Sequence, residues 1–166
     1  MSFRALTLVL AVIAVVLCTF VQSTEALSQK TINTILRKHN TVRAKHHAPA
    51  LKWNKKVAAY AQKWSNKCVF EHSYGGYGEN LGLGWANWGQ LIIDGWYDEY
   101  KDYNYSNPGF SDDAGHFTQV VWKNTTEIGC GVATCDNLGK GAKLYTCSYD
   151  HMGNIDGLFA TNVLKP

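Results

Sequence analysis

The chain has 166 residues, of which 46% are hydrophobic and 17% are charged, a composition typical of a globular domain rather than a disordered or fibrous chain. Three prolines and 15 glycines are too few for a low-complexity linker, and no repeat with a period of about 20 to 50 residues is present. The formal net charge of +3 at pH 7 is too small to predict a nucleic-acid partner.

The first 26 residues have the pattern of a secretory signal peptide. The run Ala5 to Val21 is apolar apart from two threonines, and small or polar residues follow it. Its uninterrupted apolar centre, Leu8 to Leu17, is short for a membrane-spanning helix, so cleavage is favoured over an uncleaved membrane anchor. We place cleavage after Ala26, or alternatively after Ser23. This predicts a secreted, extracellular domain over residues 27–166 with no stable membrane span.

The cysteine count predicts disulfides. Cys18 lies in the signal peptide, so four cysteines remain in the secreted domain: Cys68, Cys130, Cys135 and Cys147. Four cysteines in an oxidising compartment predict two disulfides, and their spacing does not choose among the three possible pairings. A zinc site of four cysteines is the alternative interpretation, but the chain has no Cys-x-x-Cys pair.

Hydrophobic periodicity predicts three helices in the first part of the secreted domain. The first covers residues 28–45, and Pro49 prevents its continuation. The second covers residues 54–67, and the third extends from Asn87 to about Tyr100. The glycine-rich segment between the last two, residues 71–85, is predicted to be a loop with short extended pieces.

The later part of the chain is predicted to form a sheet. A brief helix is expected at 116–123, followed by strands at 128–134 and 143–149 that turn residues 136–141 connect. Because helices come first and strands come late, the chain is expected to fold as an α+β domain in which helices cover a sheet.

Glu99 is a candidate site residue because of its place on the third helix. It follows Trp96 by three residues and Ile92 by seven, so it is expected to project from the apolar face, where a carboxylate needs a partner. The structural interpretation is a buried acid satisfied by main-chain groups or an arginine, and the functional one is a cleft acid or metal ligand. The same two interpretations apply to His116, which precedes Phe117. This observation alone favours the structural one.

His72 and Glu79 flank a glycine-rich loop and are the other candidates. Two imidazoles and two carboxylates on separate segments could converge on a divalent cation, since such nitrogen and oxygen donors suit zinc and related metals. The spacing of these four residues along the chain does not by itself indicate a metal site. The sequence has no His-Glu-x-x-His helix, no Gly-x-Ser-x-Gly nucleophile motif and no phosphate-binding loop.

Four motifs resemble those of the CAP superfamily, which comprises cysteine-rich secretory proteins, antigen five and pathogenesis-related class one proteins. In chain order they are HNTVR at 39–43, GENL at 78–81, GHFTQVVW at 115–122, and YTCSY at 145–149 running to Gly153-Asn154. The resemblance covers essentially all of residues 28–164. Residues 103–110, YNYSNPGF, are most similar to the secreted fungal and yeast pathogenesis-related (Pry) proteins.

The resemblance implies a three-layer α-β-α sandwich with a cleft that holds two histidines and two glutamates, matched here by His72, Glu79, Glu99 and His116. Such a cleft could hold a divalent cation, zinc or magnesium, but does not require one. The family pattern further implies disulfides between Cys68 and Cys135 and between Cys130 and Cys147. His39 and Arg43, one helical turn apart, are interpreted as structural.

In fungal members of the family, the loop before the Gly-His-Phe motif binds sterols. The resemblance carries this role to Tyr103, Tyr105, Pro108 and Phe110. Aromatic walls and a few polar groups suit a rigid apolar sterol. The alternative is that these aromatics pack onto the third helix as core, which is strongest for Tyr103 because it continues the stripe of Trp96 and Glu99. Phe110 is therefore the better ligand candidate.

Three functions from different classes are weighed, in descending order of preference. The first is a secreted protein that binds and exports sterols or fatty acids. The second is a metal-dependent hydrolase with His72 and His116 as ligands and Glu79 or Glu99 as base. The third is a defence, virulence or venom-allergen protein that acts through its surface. N-glycosylation sequons lie at Asn104 and Asn124.

Overall fold

The computed structural model describes residues 27–166, so the predicted signal peptide and Cys18 lie outside the described residues. The described chain begins with helix α1 (Gln29–Lys45), strand β1 (Lys52–Trp53) and helix α2 (Lys55–Ser65). Ser28 and Asn54 cap the two helices, because their side-chain oxygens accept main-chain N–H bonds of the first turns. Both predicted helices are confirmed, although α2 ends two residues early.

Strand β2 (Gly78–Gly84) lies within the segment that was predicted to be mostly loop. It pairs antiparallel along its whole length with strand β4 (Lys143–Asp150). At Gly82 an added Cβ would lie 2.6 Å from the Leu91 side chain, so glycine there lets the following helix approach the sheet. The extended part of this segment is therefore longer than its glycine content indicated.

The predicted third helix is one helical segment over residues 88–102, which we call α3. It consists of an α-helical turn (Trp88–Gln90), a π-helix (Leu91–Tyr97) and a 3-10 helix (Asp98–Asp102). Asn87 and Gln90 form a reciprocal capping box at its start. The changes in helical geometry alter the angle between successive side chains. Trp96 is buried and Glu99 is half-buried.

The remaining elements are helix α4 (Gly115–Val121), strand β3 (Glu127–Thr134), a 3-10 turn (Asp136–Leu138), strand β4 and helix α5 (Phe159–Asn162). The predicted brief helix, the two strands and the turn between them are confirmed. The strand order is β1-β3-β4-β2, with β1 parallel to β3 and the other two pairings antiparallel.

Helices cover both faces of the sheet. On one face, a Cβ at Gly129 or Gly131 of β3 would collide with the main chain of α2, so these glycines let that helix lie directly on the strand. On the other face, α1 contacts the sheet where His39 meets Tyr149, and α3 and α4 pack beside α1. The architecture is the three-layer α-β-α sandwich that the family resemblance implied. Within residues 27–166, no helix is long and apolar enough to span a membrane.

The four described cysteines form two disulfides, Cys68 to Cys135 and Cys130 to Cys147. This is the pairing that the resemblance implied. The first joins the segment after α2 to the end of β3, and the second links directly opposed residues of β3 and β4. Bridges of this kind typically contribute about 2 to 4 kcal/mol each.

Arg43 is fully buried and has a structural role. Its guanidinium donates to four main-chain carbonyls, at distances of 2.8 to 2.9 Å, on Pro49, Val120, Trp122 and Thr125. These bonds tie α1 to the end of α4 and to the turn that leads into β3. His39, one turn earlier, is also fully buried and contacts the Tyr149 hydroxyl at 2.9 Å.

Candidate functional site

Strand β2 and the loop before it form the first histidine–glutamate pair. The Nδ1–H of His72 donates to Oε1 of Glu79 at 2.9 Å. Glu79 also accepts the main-chain N–H of Ser73 at 2.9 Å and its hydroxyl at 2.5 Å. The Glu79 side chain is 6% exposed and that of His72 is 51% exposed, so a buried carboxylate holds an accessible imidazole. The hydrogen bond to Glu79 raises the pKa of His72 above its ordinary value, against the opposing effect of partial burial.

The second pair joins α3 to the start of α4. His116 Nδ1 donates to Glu99 Oε1 at 2.6 Å. The other carboxylate oxygen, Oε2, accepts the main-chain N–H groups of His116 and Phe117 at 2.9 and 3.1 Å. The residue that precedes α4, Ala114, provides no side-chain cap, so Glu99 caps this helix from a separate segment. The structural interpretation of Glu99, an acid satisfied by main-chain groups, describes these contacts, and its role as a cleft acid or metal ligand stays a prediction.

The two pairs have the same arrangement. In each, the carboxylate occupies Nδ1 of the ring, and within residues 27–166 neither Nε2 atom of His72 and His116 has a hydrogen-bond partner. Histidines that bind zinc are commonly oriented in this way, with a carboxylate on one ring nitrogen and the metal on the other. Both Nε2 atoms therefore fit the role of metal ligands.

The four side chains do not form one closed cluster. In the part of the chain that the structure describes, no three His, Cys, Asp or Glu side chains are arranged to hold a metal ion. Asn80 donates to the His116 carbonyl at 3.1 Å, which places the two pairs on contacting elements. Glu79 precedes Asn80 on the same strand, so the first pair lies next to this contact. The predicted four-residue cluster is therefore seen as two adjacent pairs.

Buried and half-buried polar residues behind α4 support the second pair, and they were not among the predicted site residues. Asn80 contacts the Tyr149 hydroxyl at 3.3 Å as well as the His116 carbonyl. Asn154 donates to the Gly115 carbonyl at 2.9 Å and accepts from the Thr118 hydroxyl. These residues belong to the GENL, YTCSY and Gly-Asn motifs, so their occurrence in the motifs was the available signal. The His116 ring also stacks on Trp96, at 6.1 Å between centroids.

Residues 103–110, which we call the aromatic loop, lead from α3 towards α4. Tyr103 is only 8% exposed and packs against Phe117 at 5.6 Å between ring centroids, so the core interpretation describes this residue. Tyr105 is half-buried against Tyr103, with Lys165 over its ring. Phe110 is 59% exposed.

The end of the aromatic loop lies beside the second pair. A Cβ at Gly115 would lie 3.2 Å from the Phe110 ring, so that ring is next to the residue preceding His116. Pro108 is exposed in the same loop. The sequon residues Asn104 and Asn124 are also exposed, so both side chains are accessible to glycosylation, which stays a prediction.

The sequence of this chain is similar to those of known proteins of one family. The model of the CAP cysteine-rich secretory protein family matches residues 36–149. Protein PRY2 of Saccharomyces cerevisiae is 46% identical over 136 residues, which cover 79% of this chain and 40% of the yeast protein. The chain thus spans less than half the length of that relative. Golgi-associated plant pathogenesis-related protein 1 of Homo sapiens is 37% identical over 155 residues, covering 86% of this chain and 97% of the human protein.

Solved structures have the same fold. Venom allergen-like protein 4 of Schistosoma mansoni has a TM-score of 0.66 and 28% identity, covering 84% of this chain and 97% of that one. NaASP2, solved with Zn²⁺, has a TM-score of 0.68 and 21% identity, covering 86% and 90%; it supports the fold alone. Because the family model covers more than half of the sequence and its motifs lie at the two pairs and in the core, the chain belongs to the CAP family of cysteine-rich secretory proteins.

Proposed function

We propose that this protein is secreted and that it binds sterols at the aromatic loop and carries them outside the cell. The observation that supports this most directly is the exposure of Phe110, a large apolar residue that is 59% exposed beside the second histidine–glutamate pair. A flat apolar ligand that covers this ring would remove its surface from water.

The aromatic loop has a fixed base and an accessible tip. Tyr103 anchors the base in the core, and Tyr105 packs edge-on against it at 4.8 Å between centroids. Asn104 closes a turn by accepting the Ser106 N–H at 2.9 Å. A preorganised loop loses less conformational entropy when it binds a ligand. In this proposal Phe110 contacts the sterol, Tyr105 and Pro108 flank it, and Tyr103 holds the loop in place.

Sterol binding is tested with radiolabelled cholesterol and the variants Phe110→Ala and Phe70→Ala. Phe70 is a matched control, because it is 50% exposed and lies outside the aromatic loop. Loss of one buried aromatic contact of about 1.5 to 3 kcal/mol weakens binding by about one to two decades, so Phe110→Ala should lose affinity and Phe70→Ala should keep it. Equal affinities of wild type and Phe110→Ala, or no sterol binding by wild type, would reject the proposal.

A second proposed function is binding of a divalent cation, zinc or magnesium, by the two pairs. The Nε2 atoms of His72 and His116 would be the ligands, and Glu79 and Glu99 would orient the rings. A bound cation of this kind can polarise a substrate or lower the pKa of a bound water. We propose that its role here is to order the cleft rather than to serve a hydrolase.

Calorimetric titration with Zn²⁺ tests the cation site. The double change His72→Ala and His116→Ala should abolish the binding that wild type shows, whereas His47→Asn, at an exposed histidine outside the site, should keep it. Identical zinc affinities of wild type and the double variant would show that these histidines are not ligands. Secretion is tested separately, by determining the N-terminus of protein recovered from the culture medium, which should begin at residue 27 or 24.

A further inference from the structure

Trp85 lies in the short connection between β2 and α3, and it is the one tryptophan that the fold leaves in water. It is 72% exposed. The other five tryptophans, which all lie within residues 27–166, are buried or half-buried. A single exposed apolar residue is ordinary on a protein surface, so its meaning depends on its neighbours.

The indole ring of Trp85 rests on the turn that connects β3 to β4. Its Nε1–H donates to the Lys140 carbonyl at 3.3 Å, and a Cβ at Gly139 would lie 3.7 Å from the ring. The turn is closed by Asp136, whose Oδ1 accepts the Gly141 N–H at 2.8 Å. A structured turn therefore holds the exposed ring in place.

Other exposed apolar side chains lie on the segments that flank this turn. On one side, Leu83 precedes the tryptophan by two residues. On the other side, Val69 and Phe70 follow Cys68, whose carbonyl accepts the side-chain amide of Asn137 at 3.0 Å. Four of the ten large apolar residues that are exposed within residues 27–166 thus lie on segments that contact one turn.

Three exposed lysines accompany these apolar side chains. Lys140 lies in the turn, and Lys143 is opposite Gly84 in the ladder of β2 and β4. Lys67 directly precedes the cysteine that is bridged to this end of β3. Within residues 27–166, none of the three forms an ion pair. Their charges are therefore available to an external partner.

Acidic residues are scarce at this end of the domain. The segments that form it, residues 66–70, 82–88 and 134–144, contain one acidic residue, Asp136, against the three lysines, which leaves a formal charge of +2. Asp136 already accepts a main-chain N–H of the turn. We call the four exposed apolar side chains and the three lysines together the tryptophan surface. Its charge favours an anionic partner.

The tryptophan surface is separate from the proposed sterol and cation sites. Glu79 is the second residue of β2, whereas Trp85 directly follows its last residue. Six residues of extended chain span about 20 Å, so this surface and the first histidine–glutamate pair lie at opposite ends of the strand. The aromatic loop ends beside the second pair. An inference about the tryptophan surface therefore does not rest on the proposed function.

We propose that the tryptophan surface docks on an anionic lipid membrane. The indole ring of Trp85 and the Leu83 side chain enter the interfacial layer, which suits an apolar ring with one polar N–H. The lysines lie at the level of the lipid phosphates, which attract them. A small soluble anion would leave the apolar side chains in water, and interfaces between proteins are depleted in lysine. The combination therefore favours a membrane.

Co-sedimentation with lipid vesicles tests the proposal. The secreted protein should bind vesicles of phosphatidylcholine and phosphatidylserine in equal amounts at least about ten-fold more tightly than vesicles of phosphatidylcholine alone. The vesicles contain no sterol, so the result does not depend on sterol binding by the aromatic loop. Equal binding to both kinds of vesicle, or no binding to the anionic ones, would overturn the proposal.

Matched variants test the apolar contact and the charge separately. Trp85→Ala should weaken binding to anionic vesicles at least about ten-fold, whereas Phe110→Ala, at another exposed aromatic residue, should not. Changing both Lys140 and Lys143 to glutamine should have an effect of about the same size. Circular dichroism checks that each variant is folded. Unchanged vesicle binding by folded Trp85→Ala would place the contact elsewhere.

A second pair of lysines provides the control for charge. Lys55 and Lys56 are also exposed, but they lie at the start of α2, and the tryptophan surface lies beyond its end. Changing both to glutamine removes the same charge from the protein as the change at the turn and should leave vesicle binding unchanged. If the two double variants bound equally weakly, net charge rather than the tryptophan surface would determine binding, and the proposal would be wrong.

Fluorescence quenching locates the ring in the bilayer. Anionic vesicles with brominated lipid chains should quench part of the tryptophan emission of the wild-type protein, and Trp85→Phe should lose this quenching. Vesicle binding without quenching would contradict insertion of Trp85. Sedimentation velocity without vesicles tests a second copy as the occupant, because a dimer that Trp85→Ala abolishes would show that the surface is covered by another chain and would refute membrane docking.

Discussion

Glu99 caps the helix that carries His116 and at the same time holds the ring of that histidine. One carboxylate oxygen accepts the main-chain N–H groups of His116 and Phe117, and the other lies 2.6 Å from His116 Nδ1. The orientation of this imidazole is thus coupled to the stability of α4, so a single carboxylate serves both the fold and the site.

Replacing Glu99 should therefore destabilise the protein. Loss of a helix cap costs about 0.5 to 2 kcal/mol, and Glu99→Ala also leaves His116 without its partner. Urea unfolding measures the difference. Asp98→Ala is the matched control, because Asp98 forms an exposed pair with Lys101, and such pairs contribute about 0 to 1 kcal/mol. If both changes had the same small effect, Glu99 would not be the cap of α4.

The contact between His72 and Glu79 should make stability depend on pH. The pKa of His72 is raised in the folded protein, chiefly by the hydrogen bond to Glu79. Its stabilising contribution is therefore complete below the ordinary pKa of the residue and is lost as pH rises through the folded pKa. His72→Ala should destabilise the protein more at about pH 5 than at about pH 9. NMR titration should give a lower pKa for His72 in Glu79→Gln than in wild type. An unchanged pKa would contradict this assignment.

His39 should make the protein sensitive to acid. Burial lowers the pKa of His39 to about 4, from 6.5. The unfolded chain then binds a proton at a higher pH than the folded protein does, so stability falls as pH decreases from about 6.5 to about 4, by about 3 kcal/mol. His39→Gln should flatten this part of the unfolding profile, whereas the exposed-site variant His47→Asn should keep it. A profile that stays equally steep in His39→Gln would exclude this residue as the cause.

The disulfide pairing predicts that the secreted protein has no free thiol. Cys68 and Cys135 form one bridge and Cys130 and Cys147 the other. Thiol titration of the unfolded secreted protein should find no reactive cysteine, and two or more would contradict the pairing. Changing both Cys68 and Cys135 to serine should lower the free energy of unfolding by about 2 to 4 kcal/mol.

Patterns within short stretches predicted much of the fold. Ser28 and Asn54 occupy helix N-caps, where the side-chain oxygen and the first-turn N–H groups are neighbours in sequence. The strands predicted at 128–134 and 143–149 are observed at 127–134 and 143–150, because their residue composition and the turn between them are also local features. Local propensity did not predict the full length of β2, because its glycines disfavour a strand. Pairing with β4, whose residues lie 59 to 71 positions later in the chain than their partners in β2, stabilises it instead.

The sequence by itself determined which residue types the domain contains: four cysteines for two bridges, two histidines and two glutamates in recognisable motifs, and an aromatic loop. Only the tertiary structure decided their partners. Glu79 pairs with His72 and Glu99 pairs with His116, and Tyr103 enters the core while Phe110 stays exposed. These relationships join segments that are distant in the chain, and they depend on how the elements pack rather than on the propensity of any one segment.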